Sequence, residues 1–247
     1  MASAKEIKVK VIPSKIANAF IRKYHYSGKV VNNSQLHFGA FLGGVLHGVM
    51  SFGSSMDNRR MMGLVHGTGW NEFIELNRLA FDEYLPRNSE SRCLSIAMRL
   101  LKKNTPQIKW VVSFADGCQC GDGTIYRASG FLLSGIKENK TMLLMPNGEI
   151  IADKTLNNSN YKKKGQSAGY WKKHGATPIK GFQLRYIYFI DPAYRPKLTV
   201  PEIPFSEIAK RGASMYLGKR PGSVDSCTVS SQDKSGGANP TPGLNYG

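Results

Sequence analysis

The hydrophobic and polar positions of this chain change period several times, and each change predicts an element. Residues 6–12 (EIKVKVI) alternate polar with apolar and stop at Pro13, as a half-buried strand closed by a turn would. From Ser14, which can cap a helix, Ile16, Ala17, Phe20, Ile21 and Tyr24 recur at helical spacing until Gly28 ends the pattern. Residues 35–42 (QLHFGAFL) and 45–51 (VLHGVMS) flank Gly43-Gly44, a two-residue loop that favours a tight antiparallel hairpin. The period is lost from Phe52 to Asn71, a stretch rich in Gly, Ser, Met and Arg, so the expectation there is a long loop or insertion rather than core. A strand pattern returns at 73–81 (FIELNRLAF). The polar turn 82–92 then opens a helix with Leu94, Ala97, Met98 and Leu101 as its apolar stripe. Arg99, Lys102 and Lys103 load that helix's last turns with charge that suits its dipole.

Residues 109–115 (KWVVSFA) are apolar and β-branched enough for a buried strand, and 122–129 can form a short helix after it. Strands are expected over 130–136, 141–145 and 149–152. The last strong one is 182–190 (FQLRYIYFI), where Arg and Tyr alternate with apolar residues as on a strand with one wet face. Beyond Asp191-Pro192 the pattern no longer predicts a definite element, and from Gly218 the chain is Gly, Ser, Pro and Thr with little apolar content, the composition of a disordered tail. Strands alternating with helices after an early hairpin predict an α/β (α+β) fold with a mixed central sheet flanked by helices. The expected organisation is one domain over 1–217 and a tail over 218–247.

Charge narrows the function. Lys and Arg outnumber Asp and Glu by 34 to 17 among 247 residues, a formal +17, so the summed field attracts polyanions, and nucleic acid is the leading partner. A membrane surface would need a basic amphipathic helix or a long apolar run, and neither is visible. The N-terminal MASAKEIKVKVIP lacks the apolar stretch of a signal peptide, which predicts a cytoplasmic protein. Cys93, Cys118, Cys120 and Cys227 are too few and too unevenly placed for a disulfide framework. Cys118-Gln-Cys120 lacks a second ligand pair at any regular spacing, so no metal site is expected.

Four stretches can carry chemistry. The turn 86–92, Pro-Arg-Asn-Ser-Glu-Ser-Arg, precedes a helix whose free amides suit a phosphate; Arg87 and Arg92 can add bidentate contacts, with Asn88, Ser89 and Ser91 beside them. The competing explanation is that Asn88 or Ser89 merely caps the helix. The segment 113–129 leaves a buried strand through a glycine-rich loop, placing Ser113, Asp116, Asp122, Thr124 and Tyr126 at a strand's carboxyl end, where open α/β sheets bind ligands. There Asp116 can accept a proton from an amine and Tyr126 can donate one to a leaving group; a capped helix after a turn accounts for the same residues. His25-Tyr26-Ser27-Gly28 offers a base or a stacking ring, or only a stabilising helix terminus, and His37 and His47 in the hairpin read as structural. Lys154–Ile190 contains eight Lys or Arg and no Asp or Glu. Within it Tyr161-Lys162-Lys163-Lys164 and Tyr170-Trp171-Lys172-Lys173 interleave rings with charge, the pairing that holds phosphates and stacks an exposed base.

Four stretches, HYSG at 25–28, ELNRLAFDEYLPRNSESR at 75–92, WVVSFADGCQCGDGTIYRASGF at 110–131 and FQLRYIYFID at 182–191, resemble the phage Mom family of adenine modification proteins. The resemblance implies a GNAT-like acyltransferase fold and the placing of a carbamoylmethyl group on the exocyclic amine of adenine in phage DNA, which shields that DNA from host restriction. It implies double-stranded DNA as partner, acetyl-CoA or another acyl donor, and Arg92, Ser113, Asp116 and Tyr126 lining the reaction site, with Glu75 and Asn77 as lesser candidates. The turn 87–92 departs from ordinary GNAT enzymes in having no glycine. Two rivals fit the same residues: a GNAT-like enzyme acting on a protein, tRNA or small amine, and a nucleic-acid-binding module without catalysis.

Overall fold

The computed structural model describes residues 3–118 and 121–215. The tail expected over 218–247, Cys120 and Cys227 lie outside the described residues. Strand β1 (Lys8–Val11) leads into helix α1 (Ser14–Tyr24). Its cap is not Ser14: Pro13 holds the extended cap position, and its carbonyl accepts from Ile16 and Ala17, so Ser14 already lies inside the first turn. The hairpin of β2 (Ser34–Leu42) and β3 (Val45–Gly53) turns through Gly43 and Gly44 at φ 59° and 86°, the paired positive values a two-residue turn with the strands' own twist requires.

The stretch 52–71 is not a plain loop. It contains α2 (Asn58–Met62), and Met61, Leu64 and Val65 are buried against Phe73, Trp110, Val112 and Ile187. The helix has only five residues, too few to display a period, which is why the pattern concealed a core segment. Strand β4 (Phe73–Phe81), helix α3 (Ser89–Asn104) and strand β5 (Trp110–Asp116) form a parallel pair with its crossover. Leu94, Ala97, Met98 and Leu101 of α3 are buried as their spacing required.

After α4 (Thr124–Ala128) and β6 (Leu132–Asn139) the chain makes a small lobe: β7 (Met142–Leu144), β8 (Ile150–Ala152), α5 (Asp153–Leu156), α6 (Ser159–Lys163), α7 (Ala168–Lys173) and β9 (Thr177–Pro178). Strands β8-β7-β9 form a separate sheet over a core that includes Leu143, Ile151, Leu156 and Ala176. The chain then returns as β10 (Gly181–Phe189) between β5 and β6, completing a seven-stranded sheet in the order β1-β2-β3-β4-β5-β10-β6. Inserted there, β10 is exposed at Gln183 but largely covered beyond it: Leu184, Tyr186 and Ile187 are fully buried, and Arg185 is accommodated by donating to the Ser134 hydroxyl and carbonyl. The ordered chain continues past 191. A 3-10 turn over Pro192–Lys197 and α8 (Ser206–Lys210) follow, held by bridges from Leu198 to Val65 and from Ile203 to Leu133. Among the described residues no helix is long and apolar enough to cross a membrane.

Helix α3 covers one face of the sheet with the larger core, while α1 and the α2 segment cover the other. Leu94 sits at the centre of the α3 interface and is fully buried. Leu94→Ala is expected to lower unfolding free energy by about 2–5 kcal/mol in urea titration, the cost of lost burial plus a cavity; a loss under about 1 kcal/mol would show that the α3 face is loosely packed.

Candidate active site

Strands β4 and β5 pair only from Phe73↔Trp110 to Leu76↔Ser113, although β4 continues to Phe81 and β5 to Asp116. Beyond that register they part, and a cavity of about 580 Å³ opens between them at the carboxyl end of the parallel pair. Glu75, Asn77 and Arg78 of β4 form one wall, and Asp116 of β5 and Gln183 of β10 form the opposite one. The end of α1 brings His25 and Tyr26, α4 brings Tyr126, the first turn of α3 brings Glu90, and Asn139 and Met142 stand where the small lobe meets the sheet.

Burial decides the charge of this space. The His25 imidazole is pushed down to about 4, first by burial and then by the Arg78 guanidinium, so it is neutral at physiological pH. Its Nδ1 accepts the Ser27 backbone N–H at 3.1 Å, which puts the remaining proton on Nε2. Burial likewise raises the Glu75 carboxyl, opposed by hydrogen bonds from Ser55 and Asn77 and by Arg78. Asn77 is itself held by Ser34, whose hydroxyl donates to its Oδ1 at 3.0 Å. Burial also raises Glu90. Asp116 accepts the Cys118 N–H at 2.9 Å, a bond that orients its carboxylate at the strand's end.

The expected site residues fall into three groups. Asp116 and Tyr126 reach the cavity, as do Glu75 and Asn77; the Tyr126 ring packs between Phe131 and Tyr186 at centroid distances of 5.5 and 5.1 Å. Ser113 and Arg92 are not on the cavity wall. Ser113 is fully buried and donates to the Leu76 carbonyl at 3.2 Å, at the last pair of the parallel strands. Arg92 donates to the carbonyls of Ala4 and Lys5, tying α3 to the N-terminal turn. In the turn, Ser89 donates to the Pro86 carbonyl and Ser91 to that of Asn88, while Arg87 is exposed. Asn88 stands at the cap with φ 69°, the left-handed conformation that the missing glycine would have taken, and makes no side-chain cap bond. Asp122 is engaged by Thr124 and Arg127.

The basic stretch 154–190 is divided between the small lobe and β10. Tyr161 and Trp171 pack on the lobe's core, whereas Lys162, Lys163, Lys164 and Lys173 are exposed. Lys172 pairs with Asp153 at 3.1 Å, and Tyr170 stacks on His174 at 3.9 Å. His37 bonds Ser51, and His47 bonds Asp82 while stacking on Tyr84, so both are structural as expected. Among the described residues no cluster of three or more His, Cys, Asp or Glu is placed to hold a metal. Sequence reasoning missed Arg78, Glu90 and Gln183.

Among the described residues the sheet has one parallel pair, and it splays around a cavity lined with acids, a neutral histidine and a tyrosine. The chain belongs to the Mom protein family, which it matches over residues 6–207. The methylcarbamoylase mom of Escherichia phage Mu is 36% identical over 198 residues, covering 79% of this chain and 80% of that protein. Solved structures that overlay on it include an IAA acetyltransferase from Bacillus cereus ATCC 14579, at 13% identity and a TM-score of 0.44 over 74% of this chain and 99% of that one. A GNAT family acetyltransferase from Elizabethkingia anophelis with acetyl-CoA bound gives 11% and 0.43 over 74% and 98%.

His25 supplies a pH test. Its proton affinity is lower folded than unfolded, so between about pH 6.5 and about 4 the unfolded chain holds the extra proton and stability falls as pH falls through that window. The loss amounts to about 3 kcal/mol when complete. Urea midpoints measured across this range are expected to drop less steeply in His25→Gln; identical slopes would place the titrating group elsewhere.

Proposed function

We propose that this protein adds a carbamoylmethyl group to the exocyclic amine of adenine in double-stranded DNA, a modification that shields phage DNA from host restriction in the host cytoplasm. The observation that carries this reading is the 36% identity to a phage methylcarbamoylase over most of both chains. The formal charge of +17 and a concave site of a size that admits one base are consistent with it.

The adenine amine is a weak nucleophile because its lone pair is delocalised into the ring. As its nitrogen forms a bond to the carbon of an activated donor, the donor's bond to its leaving group breaks and the amine must lose a proton. Asp116 at the cavity wall is assigned as the base. Glu75, whose carboxyl burial raises while Ser55, Asn77 and Arg78 oppose the shift, stands across from it on the cavity wall. Tyr126 is the group assigned to protonate what departs. A base inside a duplex must first leave the stack, at a cost of a few kcal/mol. Phosphate contacts by Lys162, Lys163, Lys164 and Lys173 on the lobe beside the cavity offset that cost.

The resemblance implies an acyl donor, acetyl-CoA or another. The start of α3 has helix amides and the exposed Arg87, but the side chain it sets on the cavity is Glu90, and Arg92 is turned to the N-terminal carbonyls. These residues do not make a cradle for a diphosphate, and no step above depends on coenzyme A. Acetyl-CoA is accordingly expected to leave the Tm of the wild type unchanged; a rise that grows with its concentration would show that the start of α3 does hold the diphosphate.

Mass spectrometry of nucleosides from plasmid DNA of expressing cells tests the reading. The wild type is expected to give a deoxyadenosine heavier by the carbamoylmethyl group, and Asp116→Asn to give at least about a hundredfold less of it. Unmodified wild-type DNA beside modified RNA or protein would move the substrate to those classes.

A further inference from the structure

The strand pairing sets three polar side chains in a row that no expectation from the sequence included. Gln183 on β10 lies directly opposite Asp116 on β5 and, on its other side, directly opposite Lys137 on β6. Directly opposed residues of antiparallel strands present their side chains on the same face of the sheet, so acid, amide and ammonium stand side by side across three strands. With strands about 4.8 Å apart the row spans about 10 Å. Asp116 and Gln183 both line the cavity, Gln183 is exposed to it, and Lys137 is exposed beyond it.

We propose that Gln183 is the residue that selects adenine, and that the row as a whole lays the extruded nucleotide across the sheet. The proposal rests on the DNA reading above. A carboxamide carries one donor and one acceptor, and it matches adenine's major-groove edge, where N7 accepts and the amine donates. Gln183 Nε2–H donates to N7 and its Oε1 accepts one hydrogen of the amine. The amine's second hydrogen is then left toward the neighbouring Asp116, the group assigned to remove it. Guanine presents two acceptors on that edge and thymine and cytosine have no N7, so none of them satisfies both halves of the amide. Lys137, one strand further from Asp116, is placed for the phosphate of the same nucleotide and carries no base information.

Binding of purified protein to a short fluorescein-labelled duplex isolates this contact. The duplex holds one adenine opposite an abasic site, so that the base is already unpaired, and a second duplex carries 7-deazaadenine there, which lacks only the N7 acceptor. The wild type is expected to prefer adenine by about tenfold in Kd. Gln183→Leu should bind both duplexes alike, at the level of the wild type on 7-deazaadenine. Lys137→Gln should weaken both equally and reduce the slope of log Kd against log salt by about one. Urea midpoints of the variants check that each is folded. A wild type without preference, or a Gln183→Leu variant that keeps it, would overturn the assignment. Neither outcome touches the nucleoside test of the function itself, which the wild type passes or fails without regard to Gln183.

Discussion

Parallel strands that separate halfway along their length leave backbone groups facing a gap, and in a folded chain those groups need partners. Here β4 and β5 part after Leu76↔Ser113, each anchored by its other neighbour, while side chains take up two carbonyls at the split: Ser113 bonds that of Leu76 and Arg78 that of Asn77. β4 stays paired with β3 as far as Phe81, and β5 stays paired with β10 as far as Asp116. Ser113 marks the point of divergence by donating to the Leu76 carbonyl, a bond across the last registered pair. Everything else at the site follows from that geometry. The outer half of β4 turns Glu75, Asn77 and Arg78 toward the gap, the end of β5 brings Asp116, and the end of α1 closes the space with His25 and Tyr26. Ser113, expected among the reactive groups, is fully buried and bonded at the point where the two strands part.

Regular elements were legible where their period ran long enough to be seen. β4, nine residues of mixed pattern, and α3, sixteen residues with a clear stripe, lie where the pattern puts them. The α2 segment was not legible because its burial depends on Trp110 and Ile187, far away in sequence. β10 misled for the opposite reason: Arg185 and Tyr186 suggest water to a reader of patterns, but Ser134 and the Asp122 carbonyl satisfy them inside the sheet. At the site, Asp116 and Tyr126 were legible because a glycine-rich loop after a buried strand is a local signal. Arg92 looked equivalent by composition, yet its direction is set by the carbonyls of Ala4 and Lys5, more than eighty residues earlier. Gln183 was illegible for the same reason, since its meaning comes from the register that sets it opposite Asp116.

The distribution of charge separates two tasks that net charge alone merges. The exposed lysines of α6 and α7 and Lys137 give the surface its positive field, which draws a polyanion without reading it. Inside the cavity burial works against charge: it holds His25 neutral and moves Glu75 and Glu90 toward their protonated forms. A space of this kind suits a neutral heterocycle with hydrogen-bonding edges. On the proposed function the phosphates of the DNA lie outside, on the lysines, and the base within, against the amide and the carboxyl groups. That division also bears on the transfer itself. A carboxylate taking a proton is more effective where water is excluded and neighbouring groups are neutral, because less competing solvation has to be displaced as charge moves.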